Sequence, residues 1–104
     1  MQTNDLLCKV RDRLREVYGD RLRGVVLHGS EARREATEES DIDFLVLLEG
    51  PVDHGREIET IVHALYPLQL EVIRPLDAAP VDVRDYDAGR VATYRFAQKE
   101  GIRV

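Results

Sequence analysis

Two short motifs near the middle of the chain carry residue types that can do chemistry together. Asp41 and Asp43 stand two positions apart at the start of an apolar run, and Gly29-Ser30 precede them by ten intervening residues. Side chains two apart on a strand project to the same face, so we expect the two carboxylates to lie side by side. Such neighbours repel each other and lose hydration, a cost that a bound divalent cation relieves. Mg²⁺ fits because it prefers oxygen ligands and shares its coordination among carboxylates, water and phosphates.

The Gly-Ser pair suits a phosphate group. Gly29 lets the backbone approach a ligand without a Cβ in the way, and Ser30 is expected to open a short helix whose unpaired N–H groups favour an anion. Taken alone, Asp-x-Asp more often caps or turns the chain into a strand, because acidic strand ends are common. An anion-binding turn beside a cation-binding pair instead predicts a site for a Mg²⁺-bound triphosphate.

The elements that must position these residues follow from hydrophobic periodicity and from turn residues. We expect Pro67 to end a helix and residues 77–87, with four aspartates and Pro80, to form a solvated loop. The predicted helices are Asn4–Tyr18, Ser30–Ala36, Asp53–Tyr66 and Ala88–Glu100, and the predicted strands are Leu22–His28, Asp41–Leu48 and Leu68–Ile73, with an optional edge strand Ile102–Val104. The order αβαβαβα predicts an α/β (α+β) fold with a small mixed sheet flanked by helices.

Length and composition limit the classes of function. The 104 residues predict a single domain, 1–104, and a net charge of −5 argues against binding to a polynucleotide backbone. Phe44–Leu48 is the longest apolar run and is far too short to span a membrane. Cys8 is the only cysteine, which excludes an internal disulfide and fits a reducing compartment. We therefore expect a cytoplasmic protein with no membrane partner.

The composite motif resembles the signature of the DNA polymerase β-like nucleotidyltransferase superfamily. The matching run is Gly29-Ser30, ten residues, then Asp41-Ile42-Asp43, with Ala32-Arg33, Ala36 and Ser40 in between. The chain looks most like the minimal nucleotidyltransferases, the MntA-type antitoxins of HEPN/MNT toxin–antitoxin systems. This similarity covers nearly the whole sequence, including its Lys99-Glu100-Gly101-Ile102 ending, and implies the minimal nucleotidyltransferase fold.

The resemblance also implies roles for individual residues. It assigns Gly29, Ser30 and Arg33 to the nucleotide, and Asp41, Asp43 and a third carboxylate on a later strand to two Mg²⁺ ions. Glu71 stands in the predicted strand Leu68–Ile73 where that third carboxylate would fall; the alternative is a surface glutamate. The family more often has aspartate there, and it often has glycine where this chain has Arg34.

By the same resemblance, the expected activity is transfer of AMP from ATP to a hydroxyl, typically of a tyrosine, on a partner HEPN-domain toxin. The chain has no room for the helical domain with which related enzymes build an acceptor site, so another molecule must bring the acceptor. Two alternatives stay open: a non-catalytic antitoxin that acts by binding alone, and an enzyme that modifies a small molecule. His28, beside Gly29, either packs in the core or touches a phosphate.

Overall fold

The computed structural model describes residues 2–104, in which four strands form one mixed sheet with helices on both faces. The helices are α1 (Thr3–Tyr18), α2 (Gly29–Ala32), α3 (His54–Gln69), α4 (Val83–Asp87) and α5 (Ala92–Glu100). The strands are β1 (Leu22–His28), β2 (Ile42–Leu48), β3 (Leu76–Asp82) and β4 (Ile102–Arg103), and a 3₁₀ turn, Gly19–Arg21, joins α1 to β1. The predicted fold class is confirmed.

The strands lie in the order β3-β2-β1-β4. β1 pairs antiparallel with both β2 and β4, whereas β3 runs parallel to β2 after the crossover through α3. The carboxyl end of β1 therefore meets the amino ends of β2 and β3 at one end of the sheet. This is the end at which the predicted motifs lie.

The alternation of β2 divides the core into two layers. Ile42, Phe44, Val46 and Leu48 pack with the buried side chains of α1 and α3, while Leu45 and Leu47 pack with Tyr86 of α4 and Ala97 of α5. Asp43 alternates with the second set and so projects to the face that α4 and α5 cover. Because those two helices are short, this face is less completely covered near Asp43.

The predicted strand Leu68–Ile73 is wrong. α3 continues through Pro67 to Gln69, and the chain then turns through residues 70–75 without regular structure. Pro67 removes one backbone hydrogen bond in the last turns of the helix, but Leu65 and Leu68 are buried there. Burial of these side chains outweighs the single lost bond.

The predicted loop over residues 77–87 is also wrong, since it contains β3 and α4. β3 is an edge strand with β2 on one side only, and a proline without its N–H is tolerated at such an edge. Within this segment, Val81 and Tyr86 are buried, and the Asp82 side chain caps α4 by accepting from the Arg84 N–H.

Two smaller differences concern helix ends. α2 ends at Ala32 and not at Ala36, and α5 begins at Ala92 and not at Ala88.

No helix among residues 2–104 is long and apolar enough to cross a membrane.

Candidate active site

Three neighbouring strands bring His28, Asp43 and Asp77 into one row across the sheet. In the register, His28 of β1 lies opposite Asp43 of β2, and Asp43 lies opposite Asp77 of β3. Their alternation with Val26, Leu45 and Val81 places all three side chains on the face covered by α4 and α5. Directly paired residues on one face are near neighbours, so Asp43 lies at the centre of the row with His28 on one side and Asp77 on the other.

Asp77, not Glu71, is the later carboxylate that the structure places beside Asp43. Glu71 is exposed in the turn after α3 and lines a different cavity, together with Glu38 and Arg74. Asp77 was missed because Pro80 suggested a loop. A usable signal was present: Leu76-Asp77-Ala78 repeats the apolar-acid-apolar start of β2, Ile42-Asp43-Phe44.

Asp41 lies just before β2, exposed, where its charge acts on Asp43. Burial raises the pKa of the Asp43 carboxyl above its ordinary value; His28 lowers it in part, and the charges of Asp77 and Asp41 raise it further. Asp43 is thus a half-buried acid in a field of like charge, the situation that a cation relieves. β2 begins at Ile42, one residue later than the predicted start at Asp41.

Gly29 begins α2 directly against the Asp43 carboxylate. Its φ of +74° lies in the left-handed region, and a Cβ added there would sit 2.7 Å from Oδ2 of Asp43. Both the backbone conformation and the space therefore require glycine. As a result, the chain turns from β1 into Ser30, which is half-buried in the first turn of α2 and directly follows the glycine that meets Asp43.

The φ of Arg34 is also positive, at +60°. This conformation favours glycine over residues with a Cβ. A glycine at the position of Arg34 would adopt this conformation without strain.

A cavity of about 190 Å³ opens beside the row, lined by His28, Gly29 and Arg33 and by Thr93, Phe96, Ala97 and Glu100 of α5. Burial lowers the pKa of the His28 imidazole, although the charges of Asp43 and Asp77 oppose this shift. The Arg33 guanidinium lies at the mouth, 3.0 Å from Glu35 and 3.7 Å from Glu100. The cavity is smaller than most small-molecule sites, so a nucleotide would lie largely on an open surface.

The carboxylates fit a magnesium site that is completed by substrate. Among residues 2–104, no three His, Cys, Asp or Glu side chains converge closely enough to form a ready-made metal cage. Mg²⁺ seldom uses such a cage, because it usually takes one or two carboxylates and fills its coordination with water and substrate phosphates. Asp43 with its raised pKa, Asp77 in register beside it and Asp41 at the strand entry supply this kind of donor set.

Comparison with known proteins gives two findings. Residues 7–102 match the family described as nucleotidyltransferase domain. A chain from a crystal structure of a mutant of the toxin–antitoxin MntA-HpeT has a similar fold, with a TM-score of 0.55 and 21% sequence identity, over 100% of this chain and 72% of that chain. A search of curated proteins gave no match.

Proposed function

Because this chain belongs to the nucleotidyltransferase domain family, we propose that it transfers AMP from ATP to a hydroxyl of a partner HEPN-domain toxin and so acts as its antitoxin. The observation that carries the proposal is the carboxylate row. Asp43 and Asp77 stand in register, Asp41 adds its charge, and Gly29 brings the start of α2 against them. This arrangement supports a proposal in which the turn at Gly29 binds an anion and the neighbouring carboxylates bind a cation.

In this proposal, Asp41, Asp43 and Asp77 hold two Mg²⁺ ions. When bound, the ions supply neutralisation of the negative charge that builds up on the phosphate oxygens during transfer. The backbone N–H groups at Gly29 and Ser30 donate to the triphosphate and fix its position against the row. Arg33 lines the cavity, and its guanidinium can release Glu35 and Glu100 and bind a phosphate of the nucleotide instead.

Asp77 is proposed as the general base that accepts the proton of the acceptor hydroxyl. It lies exposed on the edge strand β3, where an incoming group can reach it. The hydroxyl oxygen forms a bond to the α-phosphorus, its proton passes to the Asp77 carboxylate, and the bond to the β-phosphate oxygen breaks to release pyrophosphate. Positioning and charge neutralisation supply most of the acceleration in such reactions.

Two observations support a protein as the acceptor. The cavity beside the row is too small to enclose a nucleotide, so an acceptor group can approach the bound nucleotide from outside. The outer side of α3 and the turn after it also expose large apolar side chains, and contiguous exposed apolar residues mark protein contacts. These are Ile58, Val62, Tyr66, Leu70 and Ile73. A tyrosine of the toxin is the proposed acceptor residue.

The test is to incubate the chain with labelled ATP, Mg²⁺ and the toxin from the adjacent reading frame. Wild type is expected to increase the mass of the toxin by one or more AMP units and to stop its ribonuclease activity. Asp43→Asn and Asp77→Asn should do neither. Glu71→Gln is the matched control, since it removes an exposed carboxylate of the same charge outside the row and should transfer AMP normally.

The possible outcomes separate three functions. Neutralisation of the toxin by Asp43→Asn with no mass change would mean that binding alone is the function. Transfer without any toxin, to a small molecule in a substrate screen, would replace the protein acceptor. If Asp77→Asn transfers AMP as well as wild type, Asp77 is not part of the catalytic site.

A further inference from the structure

A half-buried ion pair lies behind the carboxylate row, on the side of the sheet covered by α1. Nη1 of Arg74 is 2.9 Å from Oε1 of Glu31, and the two side chains are 21% and 14% exposed. Nε of Arg74 donates to the carbonyl of Ser40 at 2.9 Å. The Thr3 hydroxyl donates to the same Glu31 oxygen at 3.0 Å.

Three groups in this cluster each adjoin a different part of the proposed site. Glu31 follows Ser30 in α2, Ser40 precedes Asp41, and Arg74 stands three residues before Asp77. One guanidinium thus connects the phosphate-binding turn, the entry to β2 and the segment that leads into β3. Among residues 2–104, no other side chain forms hydrogen bonds with both Glu31 and Ser40.

The segment that carries Arg74 is itself held in place. The Arg74 carbonyl accepts a hydrogen bond from Nε2 of Gln69 at 3.0 Å, and Oε1 of Gln69 accepts one from the Leu76 N–H at 2.8 Å. The Ile42 N–H donates to the Pro75 carbonyl at 2.8 Å, which ties β2 to the start of β3. A displacement of Arg74 would therefore be transmitted to both strands that bear the carboxylates.

We propose that Arg74 is a positioning residue that sets the spacing between the phosphate-binding turn and the carboxylates of β2 and β3. This inference rests on the proposed function of the site. Arginine suits the role because its planar guanidinium has donors in fixed directions, whereas the single ammonium of a lysine cannot reach both acceptors with the same geometry.

The unused nitrogen of Arg74 supports a role beyond stability. Nη2 is buried with no hydrogen-bond partner among the described residues. A buried donor without a partner is costly and uncommon in native proteins. Replacing a buried ion pair with apolar side chains is often neutral or stabilising, so packing alone does not account for this arginine.

The Arg21–Glu57 pair provides a matched control. Nη2 of Arg21 lies 2.7 Å from Oε2 of Glu57, with side chains 33% and 6% exposed. It joins the chain before β1 to the start of α3, at the opposite end of the sheet from the carboxylate row. Breaking either pair should lower the melting temperature, but only Arg74 adjoins the site.

The experiment compares Arg74→Gln, Arg74→Lys and Arg21→Gln with wild type at a temperature at which all four are folded. We expect Arg74→Gln to lower kcat for AMP transfer at least tenfold with a smaller change in KM for ATP. Arg74→Lys should recover part of the loss, and Arg21→Gln should stay within about twofold of wild type. Wild-type kcat in Arg74→Gln, or an equal loss in Arg21→Gln, would overturn the proposal.

A second readout does not depend on transfer. Mn²⁺ binding in the presence of ATP, measured by electron paramagnetic resonance, should weaken about tenfold in Arg74→Gln and remain unchanged in Arg21→Gln. If wild type binds Mn²⁺ and ATP but transfers nothing, the proposed function fails while the positioning role is still measured by this affinity. If Arg74→Gln does not fold, Glu31→Gln replaces it, because this change keeps the shape of the side chain and removes only its charge. Glu31→Gln should bind Mn²⁺ more weakly than wild type, by less than about tenfold. Unchanged Mn²⁺ affinity in Glu31→Gln would overturn the proposal.

Discussion

Asp43 has its carboxylate among the charges of Asp77 and Asp41 and against the backbone of Gly29. Burial, followed by the two acidic neighbours, raises its pKa, while His28 opposes the shift. A carboxyl whose pKa is raised on folding stabilises the fold only while protonated, and this contribution is lost as pH rises through the folded-state pKa. Without a cation, ionisation of Asp43 therefore destabilises the fold.

The first prediction follows from that sign. Asp43→Asn should raise the melting temperature in metal-free buffer at neutral pH, because it removes a repelled and partly desolvated charge. Adding Mg²⁺ with ATP should then stabilise wild type but not the variant. Thermal melts with a chelator and with Mg²⁺–ATP measure both effects. If Asp43→Asn melts at a lower temperature than wild type in chelator, repulsion of the Asp43 charge by its acidic neighbours does not destabilise the fold.

Gly29 gives a second prediction at the residue scale. Gly29→Ala must hold a Cβ at φ +74° and 2.7 Å from Oδ2 of Asp43. We expect it to lose about 1–2 kcal/mol of unfolding free energy and most of its AMP transfer, since the carboxylate must move. Urea unfolding and a transfer assay measure the two losses.

Gly55 is the matched control for that substitution. It lies in the first turn of α3, and a Cβ there meets nothing within 4 Å. Gly55→Ala should keep full transfer and gain about 0.5–1 kcal/mol, because alanine loses less backbone entropy in a helix. Equal losses in both variants would show that the contact between Gly29 and Asp43 has no special effect.

At the scale of elements, the sequence predicted a helix or strand correctly where neighbouring residues alone determine it. The strand Leu22–His28 was predicted at its observed bounds, and the helix Asn4–Tyr18 begins one residue earlier than predicted, because β-branched residues and helical periodicity agree there with the tertiary context. The region after Pro67 failed because its apolar residues suit the end of a helix or a strand equally well. Only packing against the sheet decides, and packing is not visible in a single sequence.

The same limit applies to the site. The proximity of Gly29 to Asp43 could be predicted because their two short motifs lie within fifteen residues of each other in sequence. Asp77 joins them through the parallel register between β2 and β3, which α3 separates in sequence. Pro80 hid that strand, since a proline is compatible with β3 only because the strand lies at the edge of the sheet.

The start of α3 provides a prediction for an element. Glu57 is buried and accepts from Arg21, from the Tyr18 hydroxyl and from the Asp53 N–H. The hydrogen bond from Arg21, more than any other contact, lowers the pKa of Glu57 below the ordinary 4.5, although burial opposes the shift. A lowered pKa means that the carboxylate stabilises the fold above pH 4.5 and that this contribution is lost as pH falls through the folded-state value.

Glu57→Gln should therefore be less stable than wild type at neutral pH, and the difference should narrow once the pH falls below 4.5. Urea unfolding from neutral pH to about pH 3 measures this difference. Glu59→Gln, an exposed change on the same helix, is the control and should differ little from wild type at any pH. A constant gap between Glu57→Gln and wild type would mean that the charge of Glu57 is not what stabilises the start of α3.

At the scale of the whole molecule, the open site and the exposed side of α3 have a common consequence. The cavity beside Gly29 has a volume of about 190 Å³, so residues 2–104 leave most of a bound nucleotide and its acceptor uncovered. A partner that covers this region must also contact the protein elsewhere to be held in line with the α-phosphorus. Val62 and Tyr66, 60% and 58% exposed on α3, offer such a contact.

The last prediction tests that contact. The double variant Val62→Glu, Tyr66→Glu should lose binding to the toxin and AMP transfer to it, because two charges replace apolar side chains that a partner would desolvate. Its melting temperature and Mn²⁺–ATP affinity should match wild type, since both positions lie at the surface and away from the carboxylates. Val17→Glu, at a residue 51% exposed on α1, is the control and should bind the toxin normally. Isothermal titration with the toxin and mass analysis of the product measure binding and transfer. Unimpaired binding by the double variant would show that the toxin contacts another surface and that the exposed side of α3 has no part in the complex.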